Sequence, residues 1–401
     1  MTAKSGIVRV IGLTWGLLIL TVAISSVSTG QDSIDRNRVK ELYEKSKRGD
    51  ELSPDEQKYL DRALGDLKAK GNPSTDSPNA APAKWQNTIY VGAVKQLVEE
   101  RKEQKSVAYK PLSEMSAAEK HFGEDGGLYG GGENEPPRAH QQAAQEAVKQ
   151  IVPLDAEGKP SKEGKVVFVG LGMSNTGAEF FRFQEKVERG PAKPEHLILV
   201  NCCWSAGASS WATDGGTWTR ALDQLKKANV SPEQVQVAWI KHAEPFPEPE
   251  KARLDHARQL KTNLVTSLQL AKRKFPNLKV AYLSSRTYGG YAVNGVRLAN
   301  PEPFAYESAF AVRWTIQEQM KGDPALNYDV KKGKVVAPVV LWGPYLWADG
   351  TTPRKDGLTW ERSDYSKDGL HPDTSGQQKV VEQLMKFFKN DPTAKPWFVG
   401  K

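Results

Sequence analysis

A three-layer α/β/α sandwich around a parallel sheet is predicted from two patterns in the chain after residue 165. Short apolar runs recur there, "VVFVGLG", "HLILVNCC", "VQVAWI", "KVAYLSS" and "VVAPVVLWGP", and they read as strands buried on both faces. Long helical segments separate several of them, notably "KARLDHARQLKTNLVTSLQLAKRKF" and "YESAFAVRWTIQEQM". Strands joined through helices run parallel and carry helices on both faces of the sheet. About five parallel strands are therefore expected over residues 165 to 401, with ligands bound at their carboxyl ends.

The chain has 401 residues, enough for one large domain and accessory segments. Lys4 and Arg9 precede the apolar run "VIGLTWGLLILTVAISSV", and Ser28 and Gly30 in "SVSTGQ" are small residues at the positions a signal peptidase reads. Residues 1 to 30 are expected to direct export, to the periplasm or the medium, with an uncleaved signal anchor as the alternative. Cleavage would leave no stable membrane span. Residues 31 to 72 are charged and helical in pattern, and Ser53, Pro54 and Glu56 form a capping box with proline at the first helical position. A helical hairpin acting as a spacer is expected. "GNPSTDSPNAAPAK" makes residues 73 to 84 a flexible linker. Residues 85 to 164 read as a helical lead-in to the sheet, and their glycine-rich "GEDGGLYGGGENEPP" reads as a mobile surface loop because no Gly-Lys-Ser/Thr follows it.

The formal charge of +8 is spread without a basic run interleaved with aromatics, so no nucleic-acid partner is expected. It suits anionic polysaccharide or a cell envelope. An exported chain also argues against soluble nucleotide cofactors, and no cofactor is expected. The only cysteines are Cys202 and Cys203, either two buried thiols or a strained vicinal ring. The six histidines do not cluster and H-E-x-x-H is absent, which disfavours a metal site.

Two short stretches carry the chemistry. In "SKDGLHPDTSGQQKVVEQL", Asp368 and His371 stand three residues apart on the approach to a last helix, for which Thr374 and Gln377 form a T-x-x-Q box. Gly369 permits a tight turn and Pro372 holds His371 extended. The carboxylate can then orient the imidazole as a general base. At the end of the first strand, "GLGMSNTG" offers Ser174 as the nucleophile. It is not a dinucleotide fingerprint, since Asn175 occupies the third glycine position, nor a G-x-S-x-G elbow, since Thr176 follows two residues after the serine.

With "GMSN" early and "DGLHP" late, residues 165 to 390 resemble the SGNH/GDSL hydrolases, and "GMSN" is similar to the G-Q-S-N of the carbohydrate acetylesterase branch that includes sialate and xylan esterases. The resemblance implies a flavodoxin-like sandwich and a serine hydrolase with Ser174, His371 and Asp368 as its triad. Glu244 is the alternative acid and Asp364 a third. It also implies an oxyanion hole from the Ser174 and Gly207 amides and His242, because "KHAEPF" stands where that branch has Q-G-E. Arg286 and Tyr288 in "SSRTYGGY", and Tyr345, Trp347 and Trp360 in the following long loop, are candidates for sugar binding. The expected function is an exported esterase acting on O-acetylated carbohydrate. The alternatives are a catalytically impaired glycan-binding protein and a lipid or lysophospholipid esterase of the same fold. Acyl group and oligomeric state are left open.

Overall fold

The computed structural model describes residues 38, 39, 41, 42, 45, 52–60, 109–190, 193–245, 254–292 and 300–399. The expected signal segment and linker lie outside them. The chain divides into two units, Met1–Ala80 and Ala81–Lys401. In the first, residues 54–60 are helical; the Ser53 amide donates to Glu56 Oε2 at 2.8 Å and the Glu56 amide to Ser53 Oγ at 3.2 Å, which is the reciprocal capping read in the sequence. No described helix is long and apolar enough to cross a membrane.

In the second unit the five strands are β1 (Val166–Gly172), β2 (Leu197–Asn201), β3 (Val235–Lys241), β4 (Val280–Leu283) and β5 (Val339–Trp342). They form one sheet in the order β2-β1-β3-β4-β5, and every neighbouring pair is parallel. Its helices are α1 (Arg138–Lys149), α2 (Ser174–Glu188), α3 (Ala208–Trp211), α4 (Gly216–Lys227), α5 (Asp255–Lys274), α6 (Phe304–Lys321), α7 (Thr374–Asn390) and α8 (Lys395–Phe398).

Strand alternation divides the side chains between two cores. Val167, Val169 and Leu171 of β1 join Ala238 and Ile240 of β3 in a core covered by α3, α4, α5 and α6. Val166 and Phe168 join Val237 and Trp239 in a second core covered by α1, α2, α7 and α8. The second unit is thus a flavodoxin-like α/β/α sandwich, as predicted.

Two local expectations change, and one open alternative is decided. The last helix is capped by Asp373, whose carboxylate accepts from the Thr374 amide at 2.7 Å, rather than by Thr374. An ionised carboxylate is the stronger cap, and it shifts the start by one residue. The glycine-rich loop is fastened down: Arg313 donates to the Asp125 carbonyl at 2.6 Å and to Glu124 at 2.5 Å. A Cβ on Gly126 would lie 2.0 Å from the Met115 carbonyl oxygen, so close approach of two backbones requires that glycine. Finally, Cys202 and Cys203 are free thiols.

Candidate active site

Ser174 opens α2 at the carboxyl end of β1, which lies between β2 and β3 in the sheet. Gly172 lets that end pass close to β3, since a Cβ there would sit 2.5 Å from the Lys241 carbonyl oxygen. Thr176 then locks the first turn of α2 by donating to that same carbonyl at 2.8 Å. No internal acceptor is engaged by the Ser174 amide among the described residues.

Opposite it lies the turn before α7. Gly369 adopts φ +65°, and a Cβ there would fall 1.7 Å from the Tyr291 carbonyl oxygen, so both conformation and space demand glycine. Tyr365 and Pro372 close the turn as an antiparallel bridge, and the Ser366 amide donates to the His371 carbonyl at 2.9 Å. Asn175, buried beside the serine, donates to the Leu370 carbonyl at 3.1 Å. One residue thus ties the serine's helix to the histidine's turn.

The result is a chain of hydrogen bonds. Asp368 Oδ2 lies 2.6 Å from His371 Nδ1, and His371 Nε2 lies 3.0 Å from Ser174 Oγ. Asp368 Oδ1 accepts from Ser366 Oγ at 2.6 Å and from the Leu370 and His371 amides at 2.9 and 3.0 Å. Burial alone would raise the Asp368 carboxyl, but the bonds from His371, Ser366 and the two amides outweigh it and hold the group well below the usual carboxylate range. An ionised carboxylate only accepts, so the imidazole proton sits on Nδ1 and Nε2 is the free base that faces the serine hydroxyl.

Other expected residues lie elsewhere. Glu244 accepts from the Ser209 amide at 2.9 Å and from Asn263 at 2.7 Å; it braces α3 against α5, while Asp368 occupies the histidine's Nδ1. Asp364 accepts from Lys379 at 2.6 Å and from the Glu361 amide at 2.8 Å. His242 is 2% exposed, stacks 5.5 Å from Trp211 and faces Ser267 Oγ at 3.2 Å. Burial pushes its imidazole down to about 3, so it is a neutral core side chain rather than an exposed oxyanion donor. Gly207 caps α3 and packs against Pro245, which a Cβ would approach to 2.4 Å. Among the described residues its amide engages no internal acceptor.

The aromatic loop also departs from expectation. Tyr345 is buried and accepts the Leu112 amide at 3.1 Å; Trp347 is buried and donates to Glu302 at 2.7 Å; Trp360 is buried and donates to the Leu346 carbonyl at 2.9 Å. These rings pack the loop instead of offering a face to a ligand. Tyr288 is half-buried, edge-on to Tyr291 at 5.1 Å. Arg286 is 2% exposed, and its Nε is enclosed without a hydrogen-bond partner.

Below the triad runs a charged layer that the sequence reading missed. Lys241, the last residue of β3, pairs with both carboxylate oxygens of Glu179 on α2, Oε1 at 2.6 Å, and both side chains are fully buried. Burial drives the carboxyl up and the ammonium down, and each charge opposes the other's shift. Arg286 and His371 both lie within electrostatic reach of Glu179. Trp204 is 45% exposed, and its amide donates to the Gly172 carbonyl at 2.9 Å beside the Ser174 loop. Among the described residues no group of three or more His, Cys, Asp or Glu side chains gathers as a metal-ligand set.

No protein-family model matches the chain, and no curated protein matches it. Among solved structures, one similar chain is a provisionally assigned acylhydrolase from Bacteroides fragilis, at 16% identity and TM-score 0.32, covering 63% of this chain and 96% of that one. Another is the salicylyl-acyltransferase SsfX3 from a tetracycline biosynthetic pathway, at 12% identity and TM-score 0.29, covering 57% of this chain and 55% of that one.

Proposed function

We propose that this chain is a serine esterase of the SGNH type, and that the observation carrying this reading is the continuous Asp368–His371–Ser174 relay with its 2.6 and 3.0 Å links. Ser174 Oγ attacks the ester carbonyl while its proton passes to His371 Nε2. Asp368 stabilises the imidazolium that forms. The tetrahedral oxyanion is held by the Ser174 and Gly207 amides, neither of which is committed to an acceptor among the described residues. Collapse expels the alcohol, which takes the proton from His371, and leaves an acyl-serine. His371 then removes a proton from water, whose oxygen attacks the acyl carbon; collapse of the second intermediate releases the acid and returns the proton to Ser174.

With His242 withdrawn into the core, the oxyanion hole has two donors. Such a donor contributes on the order of 3 kcal/mol, so turnover below that of a three-donor enzyme is expected. An O-acetylated carbohydrate outside the cell is the proposed substrate class, supported by the G-M-S-N block and the leader-like N-terminus. A fluorophosphonate tests the nucleophile: wild type should be labelled at Ser174 and hydrolyse para-nitrophenyl acetate, and Ser174→Ala should do neither while unfolding at nearly the same temperature. Full activity in Ser174→Ala would refute the reading.

A further inference from the structure

Asn175 follows the nucleophile directly, and its side chain, 3% exposed, makes two hydrogen bonds of opposite kind. Its Nδ2 donates to the Leu370 carbonyl at 3.1 Å. A carbonyl oxygen only accepts, so the amide can face Leu370 in one orientation alone, and that orientation turns Oδ1 towards Ser174. Ser174 Oγ lies 3.3 Å from it. The serine hydroxyl thus has two acceptors in reach, His371 Nε2 at 3.0 Å and Asn175 Oδ1 at 3.3 Å, and one hydrogen to give.

The turn that carries His371 is braced within itself. Asp368 Oδ1 accepts from the Leu370 and His371 amides, and the His371 carbonyl accepts from the Ser366 amide; these bonds fix the shape of the turn, not its distance from the serine. Besides Ser174, two side chains of α2 hydrogen-bond across to the turn or to α7 among the described residues. Arg182 donates to Gln377 and Thr374, about two helical turns beyond Ser174. Asn175 grips the turn itself, at the carbonyl of the residue before His371, and no other donor reaches that carbonyl among the described residues. A general base works within roughly 2.6–3.2 Å of the group it deprotonates, so the 3.0 Å link between Ser174 and His371 leaves little slack. A slipped turn would break it.

We propose that Asn175 is a positioning residue for this hydrolysis: Nδ2 holds the His371 turn against α2 while Oδ1 holds Ser174 Oγ, so one buried amide sets the separation across which the proton moves. This rests on the esterase reading. Whenever Nε2 carries the proton and donates to Oγ, Oδ1 is the acceptor left for the serine hydroxyl, which keeps that oxygen facing the imidazole. Because Asn175 acts through the nucleophile and the base, its effect belongs to the chemical step and not to substrate binding.

Asn175→Leu tests this, since it keeps the volume and removes both bonds. With active sites counted by completed fluorophosphonate labelling, kcat on para-nitrophenyl acetate should fall about 10- to 100-fold at nearly unchanged KM. The rate of labelling should fall with it. Asn175→Ser, too short to reach Leu370, should do the same where the leucine variant does not fold. Arg182→Met removes the remote tie and should lower the thermal midpoint while keeping kcat within about 2-fold of wild type. Unchanged kcat per active site in the asparagine variants, with only a lower thermal midpoint, would make Asn175 purely structural and overturn the proposal. A loss confined to KM, or an equal loss of kcat in Arg182→Met, would also overturn it. If wild type neither hydrolyses the ester nor takes the fluorophosphonate, the esterase reading fails instead. Crystals of wild type and of the folded asparagine variant then decide the positioning, which stands if the Ser174 Oγ to His371 Nε2 separation widens beyond hydrogen-bond reach and falls if it stays near 3.0 Å.

Discussion

Replacing Asp368 by asparagine separates the role of charge from that of shape. The aspartate accepts four hydrogen bonds: one from His371 Nδ1 on Oδ2, and three on Oδ1 from Ser366 Oγ and the Leu370 and His371 amides. In Asp368→Asn the amide oxygen is held at the Oδ1 position, because the two backbone amides and the serine need an acceptor there. The NH2 group must then face His371 Nδ1 and donate to it. Nδ1 becomes the acceptor, the ring proton moves to Nε2, and Nε2 can no longer take the Ser174 proton.

The structure therefore predicts the wrong tautomer at nearly unchanged geometry. By analogy with the serine protease triad, kcat should fall about 10⁴-fold, which corresponds to roughly 5 kcal/mol of transition-state stabilisation. Hydrolysis of para-nitrophenyl acetate measures it, with thermal unfolding as the check on the fold. Glu244→Gln is the matched control. It weakens the brace to Ser209 and Asn263, at roughly 1–3 kcal/mol of stability, and should change kcat by less than about 10-fold because no bond to His371 is lost. Asp368→Asn retaining kcat within about 10-fold of wild type, with Glu244→Gln crippled, would refute the tautomer argument and make Glu244 the acid.

Two further predictions concern buried charge. Lys241→Met should cost about 3–5 kcal/mol in denaturant unfolding, because it leaves the buried Glu179 carboxyl without its partner; the double variant Lys241→Met/Glu179→Gln should recover part of that loss, and an equal or larger loss would refute the pairing. Glu302, which burial raises to about 7 against donation from the Gly289 amide, Trp347 and the Tyr306 amide, has a folded-state pKa above its unfolded one. Its contribution to stability is present below about pH 4.3 and is lost as pH rises through 7. Wild type minus Glu302→Gln should show that loss, on the order of 3 kcal/mol across the window; a flat difference would mean the carboxyl is not shifted.

The strands were legible because a strand buried on both faces leaves an unbroken apolar run whatever its neighbours are, as "VVFVG" of β1 does. The triad candidates were legible because each is local. Ser174 follows its strand directly, and Asp368, Gly369, His371 and Pro372 lie within five residues that set their own conformation. The start of α7 was less so, since Asp373 and Thr374 compete for one cap and only the backbone decides between them. The Glu179–Lys241 pair joins residues 62 apart in sequence, and no periodicity links an acid on one helix to a lysine at the end of a strand.

The error over His242 has a more instructive cause. Its position just beyond β3 shows that it reaches the carboxyl edge, where ligands bind, but not which side of the sheet its ring enters. Strand alternation carries that information. Ala238 and Ile240 point into the core under α3, α4, α5 and α6, and Val237 and Trp239 into the core under α2 and α7. Continued by two residues, the alternation sends Lys241 towards α2, where it meets Glu179, and His242 towards α3, where it stacks on Trp211. Ser174 and His371 belong to α2 and the approach to α7, on the side that Lys241 enters. Parity along β3 thus assigns the strand-end lysine to the layer beneath the triad and the histidine to the opposite core, and it does so from the sequence once the register of β3 is known.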